Sequence, residues 1–251
     1  MVAESSESSE GKEFIVVCLD LLSAMCEGLG GSFEATVKNS ELFPLLLQCS
    51  RDLDHDVRQS SFALLGDLTK VSFDDLRPLM DDFMTILSQN MNLELISVCN
   101  NAIWAVGEIS LKMGDGMRNY VPVLIERLIQ ILNTEGAQRT VLENTAITIG
   151  RLGLVAPNEV APFLQIFVRQ WCASMRNVRD NEQKESAFRG VCNLVLLNPE
   201  GVTTDFVYFC DAIASWSQPP HDLFNQFRFV SIASNEFSNH SLSSDSFDEE
   251  P

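Results

Sequence analysis

Apolar residues recur along most of this chain at intervals of three and four, the spacing that places them on one face of an α-helix. No stretch alternates with the period of two that a strand requires. The pattern predicts helices near 13–28, 40–50, 54–70, 75–90, 93–113, 117–133, 137–155, 158–176, 180–197 and 202–216, and a short one at 223–230. Breakers separate them: Gly28, Gly30 and Gly31 close the first helix, and Gly114-Asp115-Gly116, Ala156-Pro157-Asn158 and Asn198-Pro199-Glu200-Gly201 mark later connections. Pro44 falls in a first turn, where its missing N–H costs little, and Asp54 or Asp56 is placed to cap the helix that follows.

One helical ending recurs. Leu64-Leu65-Gly66-Asp67-Leu68, Ala105-Val106-Gly107-Glu108-Ile109, Thr148-Ile149-Gly150-Arg151-Leu152 and Phe188-Arg189-Gly190-Val191-Cys192 are anchored on glycines 41, 43 and 40 residues apart. A further step of 43 back from Gly66 reaches Ser23. A helical period near forty is the signature of a HEAT-type solenoid, in which each helix pair buries its apolar face against its neighbours. The expected fold is therefore all-α, a right-handed superhelix of antiparallel helix pairs. It should hold about five repeats over 12–230, between a disordered acidic lead at 1–11 and a disordered Ser- and acid-rich tail at 231–251.

Charge narrows the partners. Lys and Arg number 17 against 35 Asp and Glu, a net charge of −18 that repels nucleic-acid phosphates and favours a basic partner. The seven cysteines form no C-x-x-C pair and lie mostly in apolar helical runs, as small core residues of a reducing compartment do. The first ten residues are acidic and polar, unlike a secretory signal, and no apolar run reaches membrane-span length. A soluble intracellular protein is expected, with neither nucleic acid nor membrane as partner. Enzymatic chemistry is not expected either. None of His55, His221 and His240 stands beside a nucleophile in an equivalent repeat position, and Gly28-Leu29-Gly30-Gly31 lacks the Lys and strand of a phosphate loop. Metal-ligand spacing is also missing, so no metal or cofactor is expected.

The repeat register exposes one column pair. Three positions before each anchor stand Asp20, Ala63, Trp104, Ile147 and Ala187; one position after stand Ala24, Asp67, Glu108, Arg151 and Val191. Residues four apart share a helix face, so the two columns form one stripe. Its acids, Trp and Ile suit a binding surface better than a core. Trp104 and Ile147 fall at equivalent points of adjacent repeats, Ile96 lies two turns before Trp104, and Asn100 lies between. Each has a plainer reading: a lone Trp in an apolar helix is ordinarily core, and Asn100, Asn101 and Asn144 could be satisfied by the backbone of a neighbouring repeat.

Four ordered blocks carry a resemblance: Arg58-Gln59-Ser60-Ser61-Phe62-Ala63-Leu64-Leu65-Gly66-Asp67-Leu68, Cys99-Asn100-Asn101-Ala102-Ile103-Trp104-Ala105-Val106-Gly107-Glu108, Leu142-Glu143-Asn144-Thr145-Ala146-Ile147-Thr148-Ile149-Gly150-Arg151-Leu152 and Val178-Arg179-Asp180-Asn181-Glu182. The chain resembles, from Lys12 to Leu223, the C-terminal part of the transportins, which are importin-β-like nuclear import receptors. It departs from the pattern beyond Leu223, with Phe227-Arg228-Phe229-Val230 and the serine-acid tail.

The resemblance implies a HEAT superhelix whose second helix per repeat lines a concave, cargo-facing side. It implies cargo proteins bearing basic, proline-tyrosine-type nuclear localisation signals, whose upstream hydrophobic or basic segment would meet Asp20, Asp67, Ile96, Asn100, Trp104, Asn144 and Ile147. The GTPase Ran and the Pro-Tyr pocket are expected to engage the N-terminal half of such receptors, outside the part matched here. Nucleoporins are further partners of the family, and a receptor of this kind shuttles between cytoplasm and nucleus. The rival reading is a HEAT scaffold subunit holding a protein complex together by its inter-helix loops.

Overall fold

The computed structural model describes residues 2–38 and 40–244, with side chains over 11–38 and 40–232. Among the described residues every regular element is helical, and no helix is long and apolar enough to cross a membrane. The chain divides into two units, Met1–Met113 and Gly114–Pro251.

The first unit contains α1 (Val2–Leu29), α2 (Gly31–Val37), α3 (Leu42–Cys49), α4 (His55–Val71), α5 (Phe73–Leu76), α6 (Met80–Asn90) and α7 (Ile96–Met113). The long helices α1, α4 and α7 pack in sequence, with α3 against α4 and α6 against α7. The second unit contains α8 (Val121–Leu132), α9 (Arg139–Val155), α10 (Pro157–Val160), α11 (Leu164–Met175), α12 (Glu182–Leu197), α13 (Glu200–Thr203), α14 (Phe206–Ala214) and α15 (His221–Ser244). There α9 packs on α12 and α12 on α15, while α8, α11 and α14 supply the alternate layer. Each unit thus alternates shorter helices with longer ones, the helical-repeat arrangement that the glycine period predicts.

Two expected helices are broken by 3-10 turns, and a third, 202–216, divides into α13 and α14. Where one helix was predicted over 75–90, a 3-10 turn at Arg77–Leu79 separates α5 from α6; a second at Ala161–Phe163 separates α10 from α11. Pro78 and Pro162 sit within these turns, and proline both lacks the N–H and crowds the preceding carbonyls. The first helix ends where Gly30 takes a φ of +52°, a conformation cheap only for glycine. Asp54 caps α4 as predicted, its Oδ1 accepting from the Asp56 and Val57 N–H groups at 2.8 and 3.2 Å.

The terminal helices extend past the spans that the pattern predicts. Helix α1 begins at Val2, because the Ser-Glu run contains no Gly or Pro before Gly11 and simply extends a helix already nucleated downstream. Helix α15 runs to Ser244 rather than stopping near 230; Leu223, Phe227 and Val230, at helical spacing, are buried and anchor it. Met1 and residues 245–251 of the expected lead and tail lie outside the described residues.

The anchoring glycines mark where neighbouring long helices touch. A Cβ on Gly190 of α12 would lie 1.7 Å from the Gly150 carbonyl oxygen of α9, and one on Gly150 would lie 2.6 Å from the Ala187 Cα. In the first unit a Cβ on Gly66 of α4 would lie 2.2 Å from Cζ3 of Trp104 on α7. The period therefore reflects backbone contact at α9–α12 and a ring seated on bare backbone at α4–α7. Buried hydroxyls at these seams return to their own helices: Ser61 donates to the Val57 carbonyl and Thr145 to that of Val141, both at 2.7 Å.

Burial explains most cysteines as well. Cys26, Cys99, Cys172 and Cys192 are buried, Cys18 and Cys49 half-buried, and only Cys210 is exposed. Burial pushes the Cys26 and Cys99 thiols up to about 11 and that of Cys192 to about 12, so none is a thiolate nucleophile near neutrality.

Gly190→Ala should lower stability by about 3 kcal/mol, since the new methyl meets backbone that cannot yield. Gly28→Ala, in α1 with nothing within 4 Å of the added carbon, should instead raise it by about 0.5–1 kcal/mol. Thermal unfolding followed at 222 nm (a wavelength of about the helical minimum) distinguishes the two, and equal effects would show that the glycine period has another origin.

Candidate peptide-binding surface

The predicted stripe does not stay open along the repeats. In the first unit Asp20 is exposed, Ala63 and Trp104 are half-buried, and Asp67 is only 5% exposed. In the second unit Ile147 is 5% exposed, Arg151 4%, and Ala187 and Val191 are fully buried. The position after each anchor glycine faces the helix seam, because the glycine itself is the point of helix contact. The stripe is therefore surface at its beginning and packing further on.

Asp67 has a packing role as well. It was expected to attract a basic ligand, yet both its oxygens are already engaged: Ser23 Oγ of α1 donates to Oδ2 and Lys70 Nζ donates to Oδ1 at 3.1 Å. It joins α1 to α4. Lys70 Nζ also stands 4.6 Å from the centroid of the Trp104 ring. Trp104 is thus held by Gly66 and Lys70 of α4 while remaining half-exposed.

Ile96 and Asn100 are both half-buried on α7. Asn100 Nδ2 donates to Asn101 Oδ1 at 3.4 Å, and Asn101 Nδ2 donates to the Gln59 carbonyl of α4 at 3.1 Å. For Asn101 the backbone of the neighbouring repeat is the partner. Asn144, on α9 of the second unit, is half-buried.

Two open grooves adjoin in the first unit. One, of about 480 Å³, runs between Lys12, Glu13, Val16, Val17 and Asp20 of α1 and Asp54, Asp56, Gln59 and Ser60 at the start of α4. The other, of about 250 Å³, runs between His55, Asp56 and Gln59 and the segment Glu94–Val98 at the start of α7, Ile96 included. Asp56 and Gln59 line both, so the grooves adjoin at these two residues. Along this path stand Glu13, Asp20, Asp54, Asp56 and Glu94, interrupted by Val16, Val17, Leu95 and Ile96. The lining cation Lys12 is paired with Asp52 outside the groove. Such a channel suits an extended segment carrying both cationic and aliphatic side chains.

Of the seven predicted residues, Asp20 and Ile96 line this channel. The reading missed Val16, Gln59 and Glu94, and took Asp54 and Asp56 only as capping acids. Helix-start acids are ordinarily explained by the helix dipole, so nothing in their spacing marks them for a ligand. Asp54, His55 and Asp56 are close enough to suggest a metal group, but Asp54 is occupied as a cap and His55 Nδ1 lies 2.8 Å from Asp56 Oδ1.

The block Val178–Glu182 turns out to be structural. Asn181 caps α12, accepting from the Lys184 N–H at 2.8 Å. The side chain of Lys184 is fully buried, its Nζ 3.0 Å from Asp180 Oδ1, 3.2 Å from Ser215 Oγ and 4.8 Å from the centroid of the Trp216 ring. The second oxygen of Asp180 accepts from the Ser217 N–H at 2.8 Å, tying the chain after α14 to the start of α12. Burial pushes the Asp180 carboxyl up, but Lys184 and the Ser217 N–H outweigh it and hold the group below its usual range. Beside this clasp Phe188 packs edge-on against Trp171, Trp216 and Phe227, at centroid distances of 4.9, 5.7 and 5.6 Å.

Comparison with known proteins gives these observations a context. The family described as "Importin subunit beta-1-like, TPR repeats" matches residues 5–194. Transportin-1 of Mus musculus and of Homo sapiens is each 56% identical over 216 residues, covering 86% of this chain and 24% of the relative. Transportin of Dictyostelium discoideum is 44% identical over 224 residues, covering 89% of this chain and 24% of its own. The chain therefore spans about a quarter of the length of the curated relatives it matches. A solved structure of computationally designed armadillo repeat proteins for modular peptide recognition superposes with a TM-score of 0.61 at 15% identity, covering 86% of this chain and 91% of that one. That likeness shows the armadillo/HEAT-type fold.

Asp180→Asn should destabilise the second unit by about 3–5 kcal/mol, because it strands a buried ammonium. The folded carboxyl titrates below its unfolded value, so the wild-type contribution is complete above the ordinary carboxylate range and is lost as pH falls below about 4. Denaturant titrations between about pH 3 and 7 should show this acid-side loss in the wild type and a smaller one in Asp180→Asn; superimposable pH profiles would refute the clasp.

Proposed function

We infer that this chain, which belongs to the importin subunit beta-1-like, TPR-repeat family, is the signal-reading part of a nuclear import receptor of the transportin kind. Its ligand is the basic and hydrophobic segment of a proline-tyrosine-type nuclear localisation signal. The carrying observation is the pair of adjoining grooves from α1 to α7, lined by acids together with aliphatic side chains. Cationic side chains of the signal would lie against Glu13, Asp20, Asp56 and Glu94, and its aliphatic ones against Val16 and Ile96. Asn100 and Trp104 would extend the contact along α7.

Several features support this reading. The net charge of −18 favours basic cargo. The transportins named above are similar over most of this chain. On this reading Ran and the Pro-Tyr pocket are expected at the N-terminal half of such receptors, nucleoporins are possible partners, and the receptor would move between cytoplasm and nucleus.

A titration with a basic, aliphatic signal peptide tests the proposal. Trp104→Ala should cost about 2 kcal/mol of binding. Asp20→Asn with Glu94→Gln should flatten the salt dependence, whereas Ile96→Ala should lower affinity with the slope unchanged. Mutating the peptide's Pro-Tyr should leave binding to this chain unaltered. Salt-independent binding by the wild type, or an equal loss on removing the Pro-Tyr, contradicts the assignment.

A further inference from the structure

Lys70 occupies a place of the kind that a ligand's cation would take. An aromatic face beside a carboxylate attracts ammonium and guanidinium groups. Trp104 and Asp67 form such a pair, and Lys70 fills it from within: its Nζ is 4.6 Å from the indole centroid and 3.1 Å from Asp67 Oδ1. The exposures of the two partners differ sharply. The Lys70 side chain is 43% exposed and that of Asp67 only 7%. The cation can swing into water, whereas the acid is fixed at the α1–α4 seam by Ser23.

The second unit contains the same chemistry in a sealed form. Lys184 stands 3.0 Å from Asp180 and 4.8 Å from the Trp216 centroid, but it has no exposed surface and is held also by Ser215. There the lysine is a permanent part of the core. The trio in the first unit has the same composition and an open side. The difference in exposure, not in residue type, separates a structural clasp from an exchangeable one.

We propose that Lys70 is an internal competitor for Trp104. A ligand Lys or Arg reaches the indole face only after the Lys70 ammonium has moved off it. This inference rests on the peptide-binding reading above and adds a selection rule to it. A cation arriving alone merely exchanges one charge for another at the indole, with little net gain. A segment that also brings aliphatic side chains to the channel gains enough to displace Lys70. Lys70 thereby lowers the affinity for indiscriminately basic segments and leaves mixed basic-aliphatic ones favoured.

The experiment uses the full chain and a Lys-Arg octapeptide without aliphatic residues, titrated at low salt. Lys70→Met should bind this probe about three- to thirty-fold more tightly than the wild type, the range of a freed cation–π contact. Lys70→Arg should behave as the wild type. Lys112→Met, the same charge change at an exposed lysine ending α7, should have far less effect. Adding Trp104→Ala to Lys70→Met should abolish the gain. Lys70→Gln, which still reaches toward Asp67, provides the same reading if the Met variant melts early.

An unchanged or weaker Lys70→Met, with Trp104→Ala still lowering wild-type affinity for a signal peptide, overturns the competitor and leaves the receptor reading standing. An equal gain in Lys112→Met reduces the effect to net charge and overturns it as well. Peptide binding that ignores both Trp104 and Lys70, or no binding by any variant, overturns both together.

Discussion

Close contact between successive long helices is the constraint on which the rest depends. Gly190 against the Gly150 carbonyl and Gly66 beneath the Trp104 ring let neighbouring helices approach to distances that no side chain would permit. That approach fixes which positions face the seam and which face water. Where the seam passes, acids such as Asp67 are drawn in and must find partners; where it ends, acids such as Asp20 remain on the surface. The distribution of charge along these helices follows from backbone packing.

The fold was legible because its signal is periodic. The recurrence of a helical ending at intervals near forty identified the repeat, and the long helices lie within a few residues of their predicted spans over most of the chain. What was not legible came from side-chain effects at single points. Pro78 and Pro162 divided helices that hydropathy alone ran together, and the extent of α1 depended on the absence of breakers while α15 was anchored by Leu223, Phe227 and Val230. A forty-residue register is too coarse to resolve a rotation of part of a helical turn. For this reason it grouped the surface residue Asp20 with Asp67, Ile147 and Arg151, which are buried.

The candidate site was legible in part. Composition located it on the long helices, and Asp20 and Ile96 line the channel. Glu94, Val16 and the groove role of Asp56 could not be read, since a groove is made by neighbours far apart in sequence. The block 178–182, which resembled the family strongly, proved to be a clasp around Lys184. Family likeness and ligand contact are separate properties, and an architecture built from repeats has many sites where only the former applies.

One feature of the channel bears on how such receptors diversify. Asp54 closes the first turn of α4 and at the same time forms part of the groove wall. Replacing it by a residue without a side-chain acceptor would loosen a helix end, so folding alone retains an Asp, Asn, Ser or Thr at this spot. Val16 and Ile96 carry no such second duty in the hydrogen-bonding of their helices and are free to vary in size. Along a lineage a polar acceptor at the start of α4 would therefore persist while the aliphatic residues beside it drift in size, so that the groove wall would keep its polar rim and change its apolar lining.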